Sequence, residues 1–218
     1  GLPYVAQADQ MAYRQGVATM APISWTAVLT SSYSMLFPAA PAEGLASDTL
    51  LSIYIGAGGQ VQDPNGQATL ERTSLENVYA FFLEMTESGL LNPEQALSLT
   101  NAEACWDLYR PGSGRLTPVP VGVFWSDPPE DTLPAWPPTA DGEPITVMHT
   151  WGVAVVTDDP AYRKAAVELA LWLTSANRMA ALTEAFGLVP TRQEAIENWA
   201  LPPEDVAFLS RLLSSSVP

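Results

Sequence analysis

Histidine and cysteine are almost absent from this sequence: His149 and Cys105 are the only examples in 218 residues. A single cysteine forms no intrachain disulfide and no cysteine zinc cluster. Cys105 reads as a buried small hydrophobe rather than a reactive thiol. A single histidine leaves one candidate for a Ser-His-Asp triad, and no serine stands in a nucleophile elbow. His149 therefore reads as a hydrogen-bonded structural or cleft-lining residue. Basic residues are scarce as well, with 9 Lys and Arg against 24 Asp and Glu, giving a net charge of −15. They are scattered and form no basic patch, which argues against nucleic acid or an anionic membrane surface as a partner. No apolar run approaches the roughly 20 residues of a membrane span. Neither a signal peptide nor an internal repeat is visible.

Two cofactor readings also fail for want of residues. Gly56-Ala57-Gly58-Gly59 invites a dinucleotide fingerprint, but Val61 stands where the third glycine belongs, and a turn follows instead of a helix. Asp127, Glu130 and Asp131 gather among prolines as a solvated loop, without the regular oxygen spacing of a calcium loop. No metal and no cofactor is expected. A carboxylate pair for glycoside hydrolysis remains open, because nothing in the sequence selects two among 24 carboxylates.

What is present supports a packed core, since 47% of the residues are apolar. Residues 3–7 read as a short extended segment. Ser24 caps a short helix, and residues 37–47 form a proline- and alanine-rich connection. Residues 50–55 fit a helix or a buried strand equally well. Asp63-Pro64-Asn65-Gly66 is a turn. Ser74 caps the next helix, with Leu75, Val78, Tyr79, Phe82 and Leu83 on its apolar face. Gly89 ends that helix, and Pro93 blocks its resumption. Proline breaks up residues 110–144, where 119–125 is the one strand candidate. Residues 153–157 read as a β-branched strand. Asp159-Pro160 opens a helix, a second runs over 177–186 to Gly187, and a last one over 203–214 turns Val206, Leu209 and Leu213 inward. Strands alternating with helices give an α/β fold.

Five landmarks occur in an order that resembles extracellular solute-binding protein family 1, the maltose-type substrate-binding proteins of ABC importers. Residues 3–14, PYVAQADQMAYR, resemble the family's inter-lobe crossing strand, with Arg14 where the family has asparagine. PISWTAVL at 22–29 resembles P-x-T-W-x-E-L. GGQVQDPNG, the helix after it and GLL form the third landmark. PPTADGEPITVMHTWGVAV at 137–155 resembles the family's G-x-P loop and returning strand. The helix over 162–175 followed by FGLVPTR at 186–192 resembles its G-x-x-P-x-R ending.

The resemblance implies a periplasmic binding protein-like II fold, mostly the second lobe with a fragment of the first. Residues 1–125 would form the second lobe, 126–147 a proline-rich loop and crossing, and 148–197 part of the first lobe. Residues 198–218 would return to the second. It also implies a first-lobe segment before Gly1, a helical tail after Pro218, and no catalysis. The partners would be a small-molecule ligand, expected to be a sugar, and an ABC permease. The location would be extracellular or periplasmic, with a lipoprotein anchor. Matching positions give Gln7, Tyr4, Asp9, Tyr54, Trp125 and Trp151 as ligand contacts. Gln7 is a polar residue in an otherwise apolar strand and needs a partner. Trp125 and Trp151 fit stacking or packing equally. Tyr4 and Tyr13 read more readily as packed hinge residues, Trp25 and Trp172 as core, Trp106 and Trp199 as structural, and Trp136 as a loop cover. Two other classes stay in view: a glycoside or Ser/His hydrolase, and the sensor module of a signalling receptor.

Overall fold

A computed structural model describes residues 1–15, 21–41, 47–112 and 114–217. Residues 42–46 of the proline-rich connection, and Ser113 of the Gly112–Gly114 turn, lie outside them.

Everything is organised by β1 (Leu2–Arg14), a 13-residue strand that joins the expected 3–7 segment to the MAYR stretch. Its side chains alternate between two faces. Met11 and Tyr13 enter one apolar cluster, whereas Ala6, Ala8 and Ala12 enter clusters on the opposite side. The alanines matter because a small side chain lets a helix approach the strand closely.

The first face carries α1 (Trp25–Thr30), α2 (Asp48–Gly56) and α3 (Arg72–Glu87). Ser24 caps α1 by accepting the Ala27 N–H at 3.2 Å, as expected. The choice left open for 50–55 resolves to helix, because Ser47 caps α2 through the Leu50 N–H. After α2, Asp63 organises its turn by accepting the Asn65 and Gln67 N–H groups, each at 2.8 Å. In the glycine patch the Tyr54 ring lies directly over Gly59, and any side chain there would strike it.

Helix α3 corrects two expectations. It starts at Arg72, and Ser74 is not its cap but donates to the Ala57 carbonyl at 3.1 Å. Its buried line is Ser74, Val78, Phe81 and Met85, whereas Tyr79 and Leu83 are 66% and 59% exposed. Two apolar stripes compete on this helix. Stacking of Trp25 on Phe81, with centroids 4.8 Å apart, accompanies the buried one.

Past α3 come α4 (Pro93–Ala96), which Pro93 opens, and α5 (Ala102–Tyr109). Then β2 (Leu116–Pro120) pairs antiparallel with Asp9–Tyr13 of β1. The strand expected over 119–125 is corrected here. It ends at Pro120, and the chain turns into α6 (Val121–Ser126). Pro120 is the N-cap of that helix, and Gly122 lies so close to the Gly187 carbonyl that no Cβ fits between them.

Strand β3 (Thr132–Ala135) pairs with β1 at Met11–Arg14. Strand β4 (Thr146–Val153) runs antiparallel to Leu2–Ala8. The β-branched stretch 153–157 is therefore not a strand of its own, because the last pair is Leu2 with Val153. Next, α7 (Pro160–Leu173) starts on the expected Asp159 cap, and α8 (Ala176–Phe186) ends at left-handed Gly187, φ 62°. Among the described residues of α7 only Ala170 is buried, and Trp172, expected in the core, is 52% exposed. The remainder is β5 (Val189–Pro190), α9 (Gln193–Ile196), α10 (Pro203–Ser214) and β6 (Ser216–Val217). Leu209 and Leu212 are the buried residues of α10, with Val206 and Leu213 packed beside them.

The result is a mixed α/β structure around a six-stranded sheet. One half of β1 pairs with β4 and β5, the other with β2 and β3. A single strand thus crosses from one part of the molecule to the other.

Candidate ligand-binding surface at the strand crossing

The β1–β4 register sets the geometry. Gln7 stands opposite His149, and Val5 opposite Trp151. Directly paired residues point to the same side of a sheet, so Gln7, His149 and Trp151 share a face. All three are exposed there, Trp151 at 49%. Helix α2 brings Asp48 to the same place, with the His149 Nε2 3.0 Å from both of its carboxylate oxygens. Asp48 occupies the first turn of α2, where the helix dipole favours an anion. The two side chains are 56% and 32% exposed, so the pair contributes little to stability and its polar atoms stay accessible.

Beneath this strip lies Asp9, on the same face as Gln7 but only 8% exposed. Its carboxylate accepts the hydroxyl proton of the fully buried Thr49 at 3.0 Å. Burial pushes its pKa up to about 7, and neighbouring Asp48 pushes the same way. The Thr49 hydrogen bond and His149 oppose the shift. Asp9 thus supports the strip from inside instead of forming part of its surface. Tyr54 is interior as well, but its contacts lie at the glycine patch and the start of α3. It is 4% exposed, donates its hydroxyl proton to the Gln60 carbonyl at 3.0 Å and accepts the Glu71 N–H at 2.6 Å.

Tyr4 and Trp125 belong to the opposite face, packed around the cluster of Ala6 and Ala8. The Trp125 indole N–H donates to Gln10 Oε1 at 3.1 Å, and its ring meets Phe124 edge-on at 5.0 Å. Trp125 also lines a cavity of about 160 Å³ with Gly122, Ser126, Thr183, Glu184 and Trp199. The six residues expected at one site are therefore divided by the sheet. Gln7 and Trp151 share an exposed face, Asp9 is buried beneath it, Tyr54 is buried in α2, and Tyr4 and Trp125 lie behind the sheet.

Asp48 was missing from the expected set. Ser47-Asp48-Thr49 reads as a helix start, but nothing local points to a histidine 101 positions away. The strip offers one aromatic face, a carboxylate, an amide and an imidazole, which suits hydroxyl-rich ligands. Elsewhere, burial pushes the Cys105 thiol up to about 12, which keeps it protonated. Among the described residues, no group of three or more His, Cys, Asp and Glu is placed to hold a metal ion.

No protein-family model matches the sequence, and no curated protein matches it. Solved structures do. Maltose-bound MalE3 of T. maritima superposes with a TM-score of 0.77 at 18% identity, over 100% of this chain and 61% of that one. An ABC transporter solute-binding protein of Thermotoga lettingae TMO bound to alpha-D-tagatose gives 0.71 at 16% identity, over 100% and 61%. A sugar transporter protein of Arthrobacter chlorophenolicus A6 with laminaribiose gives 0.71 at 13% identity, over 99% and 58%. Identities this low speak for fold alone. The chain has the α/β, periplasmic binding protein-like fold of these sugar-binding proteins, and spans about 60% of their length.

Proposed function

We propose that this chain is the sugar-capturing part of an ABC importer's solute-binding protein. The observation that carries the reading is the exposed strip of Gln7, Asp48, His149 and Trp151 at the strand crossing. In this reading Trp151 lies against the apolar face of a sugar ring. The Asp48 carboxylate accepts hydrogen bonds from ring hydroxyls, and the Gln7 amide both donates and accepts. Residues 1–125 and 198–218 belong to one lobe, 126–147 form the loop and crossing, and 148–197 belong to the other lobe. Closure of the lobes about the β1–β4 crossing completes the site. The loaded protein delivers its sugar to a membrane permease, with no bond made or broken. The matching location is extracellular or periplasmic, with a lipoprotein anchor in the full-length form.

A thermal-shift and calorimetric screen of mono- and oligosaccharides tests this reading, run on the chain and on Trp151→Ala. Saturable binding by at least one sugar, weakened about tenfold or more in the variant, is expected; tenfold corresponds to about 1.4 kcal/mol. Silence across the panel would remove the sugar assignment. Turnover of a glycoside, abolished by Asp48→Asn, would replace capture with hydrolysis.

A further inference from the structure

Helix α2 is tied to the strand pair at two polar points of different character. One turn into the helix, the Ser52 hydroxyl oxygen accepts the Val147 N–H of β4 at 3.0 Å, and no ordinary pH change affects that bond. At the start of the helix the tie is Thr49 to Asp9, 3.0 Å and inside the protein. Asp48, next to Thr49, carries the carboxylate that meets His149.

We propose that Asp9 is a proton-operated seat for α2: gain or loss of its proton tightens or loosens the first turn of the helix on β1, and with it the placement of Asp48 against His149. The groups facing Asp9 set the direction. Helix α2 contributes the Thr49 hydroxyl and the like charge of Asp48. Strand β4 contributes His149, which favours the ionised form, and a Thr146 hydroxyl that donates to the Asp9 backbone carbonyl at 2.7 Å. Helix α5 contributes Cys105, which feels the Asp9 charge and is itself held protonated by burial. Strand β2 places Pro120 opposite Asp9 and adds no ionisable group.

A protonated Asp9 is neutral, suits its burial and does not repel Asp48. An ionised Asp9 is a buried charge held by one hydroxyl and faced by a second carboxylate. Moving the first turn of α2 outward relieves both penalties. With a pKa of about 7 when seated and an ordinary carboxylate value of about 4 when lifted, the seat responds between those two values. The sign follows from linkage. The seated state binds the proton more tightly than a lifted state whose carboxyl meets water. Seating is therefore firmest below about pH 4 and weakens as pH rises to about 7, where the effect levels off. The consequence for ligand affinity rests on the reading of the strip as a sugar site, but the seat itself does not.

The test is NMR on the whole chain. The Asp9 carboxyl carbon is titrated, and amide exchange of Leu50 and Leu51 is followed from pH 4 to 8, corrected for intrinsic exchange. Protection at these amides should fall by up to about tenfold per pH unit toward pH 7 and then level off. It should be flat in Asp9→Asn. Thr49→Val, which removes the stabilising hydroxyl, should move the Asp9 midpoint upward. Protection in the parent chain that is independent of pH would overturn the proposal. So would an unchanged slope in Asp9→Asn, or an Asp9 midpoint in the ordinary carboxylate range. Maltose, D-tagatose and laminaribiose serve as probes in a separate arm. If the seat behaves as described and none of the three produces a response at any pH, the sugar reading fails and the seat stands.

Discussion

The His149 imidazole reaches both carboxylate oxygens of Asp48 at 3.0 Å, across 101 residues of sequence. This pair links β4 to the start of α2 and marks the polar centre of the exposed strip. Because both side chains are partly in water, its loss should be mild. Asp48→Asn is expected to change stability by less than about 1 kcal/mol in denaturant unfolding. If sugar capture is right, the same variant should weaken sugar binding much more than it weakens the fold.

Asp9 should control stability in the opposite sense from most carboxylates. Its pKa is raised on folding to about 7. The stability that goes with its protonated form is complete below the unfolded value, about 4, and is lost as pH rises through the folded one. Replacing it by the neutral, similarly shaped asparagine should therefore leave stability near pH 4 almost unchanged. At pH 8 the variant should be more stable than the parent, by up to roughly 4 kcal/mol, taking about three units at 1.36 kcal/mol each. Urea unfolding of both proteins across this range is the check.

The contact between α6 and the end of α8 predicts a sharp contrast between two glycines. At Gly122 a Cβ would collide with the Gly187 backbone, so main chain rather than a flexible side chain would have to shift. Gly122→Ala should cost about 3 kcal/mol or more. At Gly187 a Cβ meets nothing closer than 3.7 Å, so only the left-handed φ of 62° is penalised. Gly187→Ala should cost about 1–2 kcal/mol. Thermal unfolding of the two variants ranks them.

Helix α3 offers a test of which apolar stripe faces inward. Phe81 is 3% exposed and stacks on Trp25, so Phe81→Ala should cost about 3–5 kcal/mol. Tyr79 is 66% exposed, and Tyr79→Ala should stay within about 0.5 kcal/mol of the parent. Chemical denaturation distinguishes this from the orientation that helical periodicity alone suggests.

These cases show what could be read from sequence and what could not. Caps and turns were legible at Ser24, Asp63, Asp159 and Gly187 because each acts within a few residues of itself. The α/β fold was legible in the order of its motifs. Orientation was not: α3 carries two plausible apolar stripes, and its packing against other elements, Trp25 among them, distinguishes them. Strand ends were not either. Residues 153–157 have strand composition but lie past the last pairing with β1, and Pro120 diverts the chain into α6. At the candidate site, Gln7 and Trp151 stood out by residue type, and the structure places both on one exposed face. The division of the expected residues between two sheet faces depends on the β1 alternation and its partners. The Asp48–His149 pair depends on bringing together a helix start and a strand far apart in sequence.

The central claim is that the strip at the strand crossing binds sugar, and residue-resolved NMR titration with maltose, D-tagatose and laminaribiose addresses it most directly. Chemical shifts register even weak binding at millimolar ligand. The account predicts saturable shifts centred on the Trp151 indole N–H, the His149 ring and the Gln7 side-chain amide for at least one of the three. Shifts confined to the Trp125 cavity behind the sheet, or no shifts with any sugar, would contradict it.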